Sequence, residues 1–252
     1  LAIILVGDDP ASVQYVNSKK KSCSAIGIDC DLHILPNSIR QEELIKVIEG
    51  LNQDDTIDAI LVQLPVPKHI DRNAILSAID YRKDVDGLHP MNVGLLNSSQ
   101  KGVIPCTPRG IISLLKEEGI EITGKHCVVI GRSNLVGKPM AQLMLNENAS
   151  VTICHSKTRD LAALTRQAEI LIIAIGCPNL VTAEMLKEGA VVIDVGINNV
   201  DGKLVGDIYN SIDVSGIEKK AAAISPVPGG VGPMTIASLL QNTVDLYKMH
   251  IQ

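Results

Sequence analysis

The segment that follows one predicted strand has the residue types of a dinucleotide-binding turn. The strand 126–130 leads into Gly131-Arg132-Ser133-Asn134-Leu135-Val136-Gly137-Lys138-Pro139, and a helix follows. Backbone N–H groups at the N-terminus of that helix can face a pyrophosphate, whose negative charge the helix dipole favours. The spacing departs from Gly-x-Gly-x-x-Gly, because Ser133 stands at the second glycine position and the later glycine is displaced by one. The segment predicts a nucleotide site, and a plain tight turn is the alternative.

The residues after the next predicted strand favour NADP over NAD. Sites that prefer NAD place Asp or Glu at the end of this strand, where the carboxylate binds the ribose 2′-hydroxyl. Here the strand 151–154 ends in His155-Ser156-Lys157-Thr158-Arg159, with no carboxylate before Asp160. Together with Arg132, these cations and hydroxyls suit a 2′-phosphate. An ordinary solvated basic loop is the alternative.

A loop rich in proline and glycine predicts a second binding wall. The run Ser225-Pro226-Val227-Pro228-Gly229-Gly230-Val231-Gly232-Pro233 precedes Met234-Thr235 and the last predicted helix. Its prolines restrict φ, whereas its glycines permit positive φ and the close approach of a ligand. A merely structural turn, which is the alternative, needs fewer such residues.

Several polar side chains near the N-terminus form a further candidate group. Tyr15 and Lys19 are four residues apart, so on a helix they lie on one face. Gln63 ends the apolar run 60–62, and a polar amide at the end of a buried strand normally has a hydrogen-bonding partner. Asp84 and Asp86 lie beside a glycine turn. The alternatives are a solvated basic helix face for the lysine run 19–21 and an Asx turn for the two carboxylates.

Short apolar runs alternate with helical patterns along the whole chain. Most of the runs are continuous rather than alternating, which is typical of parallel strands covered on both faces. Repeated β-α units of this kind predict an α/β protein with right-handed crossovers. The predicted strands are 1–6, 31–35, 57–64, 127–130, 151–154, 170–175 and 191–195.

Helix boundaries and a domain boundary follow from turn and capping residues. Ser38 with Gln41 predicts a capping box, and Thr107 predicts a helix cap with Pro108 at the first helical position and Gly119 just past the end. Pro139 is expected in the first turn of a helix, and the last helix is expected to begin near residue 234. The turn-rich stretch 94–108 separates two sets of β-α units, so two domains are expected.

Composition excludes several classes of function. The chain has 252 residues, no Phe, no Trp and four Tyr, so it lacks the rings of a nucleic-acid stacking platform. Its net charge of −5 is the opposite of what a phosphate-backbone binder needs. No apolar run reaches the roughly 18 residues of a membrane span. The six cysteines fit no zinc spacing and are interpreted as reduced, mostly buried thiols of a cytoplasmic-type compartment.

Taken together, seven segments resemble the bifunctional methylenetetrahydrofolate dehydrogenase/cyclohydrolase family over essentially the whole chain. Members of that family carry an extra N-terminal segment before the first strand. Because this chain starts inside a predicted strand, we expect it to lack that extra segment. The segments are Tyr15-Val16-Asn17-Ser18-Lys19, Val62-Gln63-Leu64-Pro65, Lys83-Asp84-Val85-Asp86-Gly87, Pro105-Cys106-Thr107-Pro108, Gly131-Arg132-Ser133, Cys154-His155-Ser156-Lys157 and the run 226–235.

The resemblance implies two consecutive reactions of one-carbon metabolism. NADP⁺ takes a hydride from 5,10-methylenetetrahydrofolate, and water then opens the methenyl product to 10-formyltetrahydrofolate, a donor for purine biosynthesis. It also implies a cytoplasmic homodimer that associates through its nucleotide domain, with no nucleic-acid or membrane partner and no metal. A smaller folate domain, residues 1–104 completed by the helix 234–252, is expected to face a Rossmann-like NADP domain, residues 105–233, across a cleft.

The resemblance also assigns roles to single residues. Lys19 matches the base for water addition, Gln63 its hydrogen-bonding partner and Tyr15 a ring that lies against the folate. Asp86 matches the residue that binds the pterin N–H edge. The remaining substrate-binding positions are Pro228, Gly229, Gly230, Val231, Gly232, Pro233 and Thr235. Arg132 and Ser156 match the 2′-phosphate contacts, and Thr107 and Ile197 lie where the family approaches the nicotinamide. The full set of NADP-binding positions is Thr107, Gly131, Arg132, Ser133, Val136, Gly137, His155, Ser156 and Ile197.

Two other functions remain open at the level of sequence. One is a different NADP-linked dehydrogenase of similar build that acts on a hydroxy acid or an amino acid, and it would not need Lys19 or Asp86. The other is a nucleotide sensor or scaffold without chemistry, which would be expected to lose Lys19, Gln63 or Asp86. All three residues are present.

Overall fold

The computed structural model describes residues 1–200, 202–209 and 214–251, and it contains two compact units. Unit 1 comprises Leu1–Cys106 and Ser238–Gln252, and unit 2 comprises Thr107–Ala237. Each unit contains a parallel sheet with helices between its strands, so the predicted two-domain α/β architecture is confirmed.

Unit 1 is built on a three-stranded parallel sheet with the order β2-β1-β3. Its first strand lies in the middle, and the chain moves to one side of it and then to the other. In chain order its elements up to the boundary are β1 (Ala2–Val6), α1 (Pro10–Ala25), β2 (Asp31–Leu35), α2 (Gln41–Gln53), β3 (Ile60–Val62), α3 (Arg72–Ala78) and α4 (Pro90–Asn97).

The central strand β1 is apolar throughout because both of its faces are covered. Ile4 packs into one core with Leu44 and Ile48 of α2, whereas Ile3 packs into a second core. The second core also contains Leu239 from the end of the chain. Burial on both faces is the physical reason for the continuous apolar run.

Unit 2 contains a five-stranded parallel sheet with the order β10-β7-β6-β4-β5. Strand β4 lies between β5 and β6, so the direction of winding reverses there; such a switch point is where open α/β sheets bind ligands. The remaining elements are α5 (Cys106–Glu117), β4 (His126–Ile130), α6 (Gly137–Asn146), β5 (Ser150–Cys154), α7 (Leu161–Thr165), β6 (Ile170–Ile173), a 3-10 helix (Ala183–Met185), β7 (Val191–Asp194), β8 (Asn198–Val200), β9 (Lys203–Val205), α8 (Val214–Lys220), β10 (Ala223–Ile224) and α9 (Val231–His250).

Several helix starts differ from the sequence prediction. The capping box of Ser38 with Gln41 is wrong, because α2 begins at Gln41 and the Glu43 carboxylate accepts a hydrogen bond from the Arg40 N–H at 3.2 Å. The cap at Thr107 is also wrong, because α5 already begins at Cys106. Each error displaces the helix start by one or a few residues, since several polar residues near the boundary can serve as caps.

Other boundaries agree with the prediction or shift slightly. Gly119 follows the end of α5 with φ +66°, and Pro139 lies in the first turn of α6, as expected. Helix α9 begins at Val231, three residues before the predicted start. The sequence prediction missed β10 and the antiparallel hairpin of β8 and β9, because these strands are only two and three residues long.

The six cysteines carry no disulfide. Four of them are buried as expected, but Cys30 is half-buried and Cys177 is exposed, so the interpretation as buried thiols is wrong for Cys177. In the described part of the chain, no helix is long and apolar enough to cross a membrane.

Candidate active site

The structure brings Lys19 and Gln63 of unit 1 into direct contact. The Lys19 Nζ donates a hydrogen bond to Gln63 Oε1 at 3.0 Å. Gln63 follows β3 directly, and its backbone N–H donates to the Ile4 carbonyl of β1 at 2.8 Å. Its Nε2 donates to the Leu64 carbonyl at 2.7 Å. Because the amide N–H is held by the backbone, the amide oxygen points at the amine.

Helix α1 presents Lys19 and Tyr15 on one face. The helix begins at Pro10, and the Asp9 carboxylate caps it by accepting hydrogen bonds from the backbone N–H and the hydroxyl of Ser12, each at 2.9 Å. Burial of Val16 fixes the inward face of the helix. Tyr15 is 40% exposed, and partial burial raises the pKa of its hydroxyl. The ring therefore remains accessible to a ligand.

The two carboxylates of the motif 83–87 have different surroundings. Asp84 is buried and accepts hydrogen bonds from the His89 backbone N–H at 2.8 Å and from Asn92 Nδ2 at 2.9 Å. Burial raises the pKa of Asp84 to about 6, although these hydrogen bonds oppose the shift. Asp86 is half-buried. Asp84 thus stabilises the turn, and Asp86 is the carboxylate that the turn presents.

Cys106 lies close to both Asp86 and Lys19, and the sequence interpretation missed it as a site residue. Its thiol donates to the Val85 carbonyl at 3.4 Å. Burial and the adjacent Asp86 carboxylate raise the pKa of Cys106 well above its usual value, and the Lys19 ammonium opposes the shift. Asp86 and Lys19 therefore share one neighbourhood around this thiol.

Asn242 of α9 holds the backbone of this neighbourhood, and it too was missed. Its Nδ2 donates to the Val85 carbonyl at 2.8 Å, to the Ile104 carbonyl at 2.9 Å and to Cys106 Sγ at 3.4 Å. The only available sequence signal is a polar residue beside the apolar positions of the last helix.

In unit 2, the turn after β4, which is predicted to bind the dinucleotide, packs closely against neighbouring backbone. Gly131 has φ +126°, and a Cβ at this position would collide with the Ala174 carbonyl. A Cβ at Gly137 would collide with the Gly131 carbonyl, so only glycine at these two positions lets the backbone segments of the turn pack this closely. The Ser133 hydroxyl accepts hydrogen bonds from the backbone N–H groups of Val136 at 3.1 Å and Gly137 at 3.3 Å. Ser133 thus holds the turn together in place of a glycine.

The predicted 2′-phosphate residues lie at one edge of the sheet. Ile130 of β4 and Cys154 of β5 are paired in register, so Arg132 and Ser156, each two residues further on, leave the sheet at the same edge. Both side chains are exposed. The ring of His155 is instead held within its own turn, because its Nδ1 accepts a hydrogen bond from the Lys157 backbone N–H at 3.1 Å.

Residues predicted to contact the nicotinamide lie next to residues predicted to contact the folate within unit 2. The Thr235 hydroxyl donates to Thr107 Oγ1 at 3.1 Å, which joins the start of α9 to the start of α5. A Cβ at Gly232 would lie 4.0 Å from Ile197 Cδ1, so Ile197 adjoins the proline-glycine loop. Ile197 is 46% exposed, so its side chain is accessible beside that loop. Of that loop, Gly229 has φ +107°, and the Gly230 N–H donates to the Pro226 carbonyl at 3.0 Å.

Across the described ranges, no group of three or more His, Cys, Asp or Glu side chains is placed to hold a metal ion. The polar groups of the site are thus an amine, amides, hydroxyls, a thiol and single carboxylates. Such a set suits proton transfer and the binding of polar organic ligands.

Comparison with known proteins agrees with this geometry. The family model described as tetrahydrofolate dehydrogenase/cyclohydrolase, catalytic domain, matches residues 1–86, and the model of the NAD(P)-binding domain of the same family matches residues 105–251. The chain is 56% identical to the bifunctional protein FolD of Campylobacter hominis, over 100% of this chain and 88% of that protein.

Solved structures of similar proteins have the same fold. The bifunctional enzyme FolD, methylenetetrahydrofolate dehydrogenase/cyclohydrolase, of Campylobacter jejuni is 52% identical with a TM-score of 0.95, covering 98% of this chain and 87% of that chain. The dehydrogenase-cyclohydrolase of Trypanosoma brucei, solved with NADP cofactor and inhibitor, is 40% identical with a TM-score of 0.93, covering 100% and 87%. With two family models spanning most of its length and such identity to its relatives, this chain belongs to the tetrahydrofolate dehydrogenase/cyclohydrolase family.

Proposed function

We propose that this protein oxidises 5,10-methylenetetrahydrofolate with NADP⁺ and then hydrolyses the methenyl product to 10-formyltetrahydrofolate. The observation that carries the proposal is the 3.0 Å hydrogen bond between Lys19 and Gln63, at the carboxyl edge of a parallel sheet. A general NADP-linked dehydrogenase has no need for this pair, whereas hydrolysis of the methenyl cation does.

The oxidation depends on positioning rather than on proton removal. Nitrogen lone pairs stabilise the cation that forms, so no base is needed. When bound, NADP⁺ supplies the hydride acceptor. The turn 131–137 is proposed to hold its pyrophosphate, Arg132 and Ser156 its 2′-phosphate, and Thr107 and Ile197 its nicotinamide end. The close backbone packing at Gly131 and Gly137 and the common edge of β4 and β5 support these assignments.

The hydrolysis requires proton transfer, and Lys19 is the proposed base. A neutral amine accepts a proton from the water molecule as its oxygen bonds to the methenyl carbon. The resulting ammonium can return that proton to the ring nitrogen when the carbon–nitrogen bond breaks, and the hydroxyl proton of the adduct is released to solvent as the formyl carbonyl forms. Gln63 holds the amine in place through its amide oxygen.

Recognition of the folate is assigned to the other predicted residues. Asp86 is proposed to accept hydrogen bonds from the pterin N–H edge, as a carboxylate with two oxygens can. Tyr15 is proposed to lie against the folate ring, and the loop Pro228–Pro233 with Thr235 to wall the folate. The corresponding proposed domains are residues 1–104 with 234–252 for folate and residues 105–233 for NADP.

Three finer statements belong to the same proposal. The protein is proposed to act in the cytoplasm, to supply one-carbon units for purine biosynthesis, and to form a homodimer through its nucleotide domain. The reduced state of the six cysteines supports the first of these. A particle mass of one chain in light scattering would contradict the dimer.

The decisive experiment compares oxidation of 5,10-methylenetetrahydrofolate with NADP⁺ and with NAD⁺, followed by absorbance of the reduced nucleotide. Activity with NADP⁺ is expected to exceed that with NAD⁺. Arg132→Ala is expected to raise the KM for NADP⁺ more than that for NAD⁺, because it removes a cation that faces only the 2′-phosphate. Arg166→Ala, an exposed arginine of unit 2, is the matched control. Oxidation with neither nucleotide would overturn the proposal, and a panel of hydroxy and amino acids would then test the rival dehydrogenase.

A further inference from the structure

Two buried carboxylates lie beneath the loops at the carboxyl edge of the unit 2 sheet. Asp207, 1% exposed, accepts four hydrogen bonds. Three come from the consecutive backbone N–H groups of Ile175 and Gly176, each at 3.0 Å, and of Cys177 at 2.8 Å. The fourth comes from Asn198 Nδ2 at 3.1 Å. The loop after β6 is therefore wrapped around a single carboxylate.

Asp194, the last residue of β7, holds Asp207 in place. Asp194 is fully buried, and its carboxylate accepts hydrogen bonds from Asp207 N at 2.9 Å, from Ile208 N at 2.9 Å and from Tyr209 N at 2.7 Å. It also accepts one from Gly196 N at 3.0 Å. A Cβ at residue 206 would overlap this carboxylate, so only glycine fits there.

The segments so connected surround the predicted nucleotide site. The loop 175–177 follows β6, whose neighbour β4 ends in the Gly131 turn, and the Ala174 N–H donates to the Ile130 carbonyl at 2.8 Å. This is the switch point of the sheet, where a nucleotide is expected. Asn198 is adjacent to Ile197, the residue predicted to approach nicotinamide. One carboxylate thus binds the backbone of the loop after β6 and the side chain of the residue next to Ile197.

Burial of two carboxylates 13 residues apart is costly unless their hydrogen bonds are complete, and here each has four donors. A stable fold alone does not require loops to be held in this way, because exposed loop N–H groups can be satisfied by water. A fixed arrangement of backbone is what a preorganised ligand site requires.

We infer that Asp207 is a positioning residue for NADP binding: anchored by Asp194, it holds residues 175–177 and Asn198 in the conformation that receives the nucleotide. The inference rests on the proposed function for the identity of that nucleotide. Asp207 belongs to unit 2, whereas the Lys19–Gln63 pair belongs to unit 1.

Asp207→Asn is the sharpest test, because it keeps the size of the side chain and removes one acceptor oxygen. Each oxygen of Asp207 accepts two N–H groups, so either orientation of the new amide turns an NH₂ towards two donors. The dissociation constant for NADP⁺, measured by titration calorimetry, is expected to rise about tenfold or more. The kcat/KM for hydrolysis of methenyltetrahydrofolate is expected to stay within about twofold of the unsubstituted protein. Glu188→Gln, an exposed residue of unit 2, is the matched charge-removing control.

Two results would overturn the inference: unchanged NADP⁺ affinity in Asp207→Asn, or loss of hydrolysis in proportion to loss of affinity, which would mark a merely structural role. If Asp207→Asn does not fold, Asn198→Ala is the deciding variant. It removes one of the four donors to the Asp207 carboxylate, and the Asn198 side chain is only half-buried. Its dissociation constant for NADP⁺ is expected to rise about two- to threefold with hydrolysis unchanged, and an unchanged constant would overturn the inference.

Failure of the role assigned to Asp207 and failure of the proposed function give different results. If the unsubstituted protein binds NADP⁺ but oxidises no methylenetetrahydrofolate, the proposed function fails, and calorimetry on the variants still decides the role of Asp207. If the unsubstituted protein binds no NADP⁺, the role assigned to Asp207 is overturned.

Discussion

At the scale of single residues, an amide is a better partner for the proposed base than a carboxylate. A carboxylate beside Lys19 would favour the protonated ammonium, which cannot accept a proton. The Gln63 oxygen accepts a hydrogen bond from the amine without adding a negative charge, and the Leu64 carbonyl holds the other end of the amide. The pair therefore orients the amine, and Gln63 itself adds no charge beside it.

Lys19→Ala is expected to abolish hydrolysis of methenyltetrahydrofolate while leaving measurable hydride transfer. Loss of a general base lowers kcat by about 100-fold or more, whereas the oxidation removes no proton. Both activities are measured by absorbance. Lys21→Ala, an exposed lysine of the same helix, is the control and is expected to change neither. Equal loss of both activities would contradict the role assigned to Lys19.

Tyr15→Ala is expected to weaken folate binding more than NADP⁺ binding. A ring that stacks on a flat ligand contributes about 1 kcal/mol or more, which corresponds to about a fivefold or greater rise in Kd. Tyr15→Phe keeps the ring and should retain most of the affinity, and Tyr247→Ala is an exposed aromatic control. A similar effect of Tyr15→Ala on both ligands, measured by calorimetry, would count against its place beside folate.

At the scale of elements, the segment between α3 and α4 contains polar residues with different roles: Lys83 and Asp84 stabilise the fold, whereas Asp86 is a proposed ligand-binding residue. Lys83 Nζ donates to the carbonyls of Leu51 at 3.1 Å and Asp54 at 2.8 Å, which connects the segment to the end of α2. Asp84 binds the first turn of α4 through His89 and Asn92. The alternative of an Asx turn, given for both carboxylates from the sequence, thus applies to Asp84, which has a structural role. Asp86 is the carboxylate that remains partly exposed.

The titration of Asp84 should be visible in the stability of the protein. Burial raises the pKa of Asp84 to about 6 in the folded state, whereas the unfolded carboxyl has its ordinary pKa near 3.9. Because the folded state binds the proton more tightly, the contribution of Asp84 to stability is present in full below the unfolded value. That contribution is lost as the pH rises through about 6.

The stability of the protein relative to Asp84→Asn is therefore expected to fall by about 2 kcal/mol between pH 4 and pH 7, since the variant has no proton to release there. The free energy of unfolding in urea at four pH values measures this difference. Asp55→Asn, an exposed carboxyl of the same unit, should show no such trend. A difference independent of pH would show that Asp84 titrates below this range.

At the scale of the whole molecule, unit 1 is made from both ends of the chain. The chain leaves this unit after Cys106 and returns at Ser238. Leu239 and Leu246 of α9 then pack with Ile3 of β1 in one core. Asn242 adds three hydrogen bonds to residues more than 130 positions earlier in the sequence. The last helix is therefore an integral part of the unit that carries Lys19.

Asn242→Ala is expected to lower the free energy of unfolding by about 1–3 kcal/mol, because it leaves the Ile104 carbonyl without its amide donor and the Val85 carbonyl with only the Cys106 thiol. Urea unfolding monitored by circular dichroism measures the change. Gln241→Ala is the control on the same helix, since its hydrogen bond to Asp245 is exposed and contributes about 0.5 kcal/mol or less. A cost as small as that of the control would mean that water replaces the lost donor.

The sequence by itself predicted the alternation of strands and helices, the seven strands β1 to β7, the turns after β4 and β5, the proline-glycine loop and the family. These features are local: a continuous apolar run, a glycine turn or a proline in a first turn follows from a few adjacent residues. Local signals also account for the errors, because adjacent polar residues compete to cap a helix, as at Ser38 and Thr107, and very short strands lack a pattern of their own.

Only the tertiary structure decided which residues hold the site. The roles of Asn242, Cys106, Asp194 and Asp207 rest on hydrogen bonds and close contacts between segments far apart in the chain, and no spacing in the sequence reports such contacts. Asp84 and Asp86 are only two residues apart, yet their different burial separates a carboxylate that stabilises a turn from one that can bind a ligand. Burial depends on what the rest of the chain packs against each side chain, and that is settled only when the chain folds.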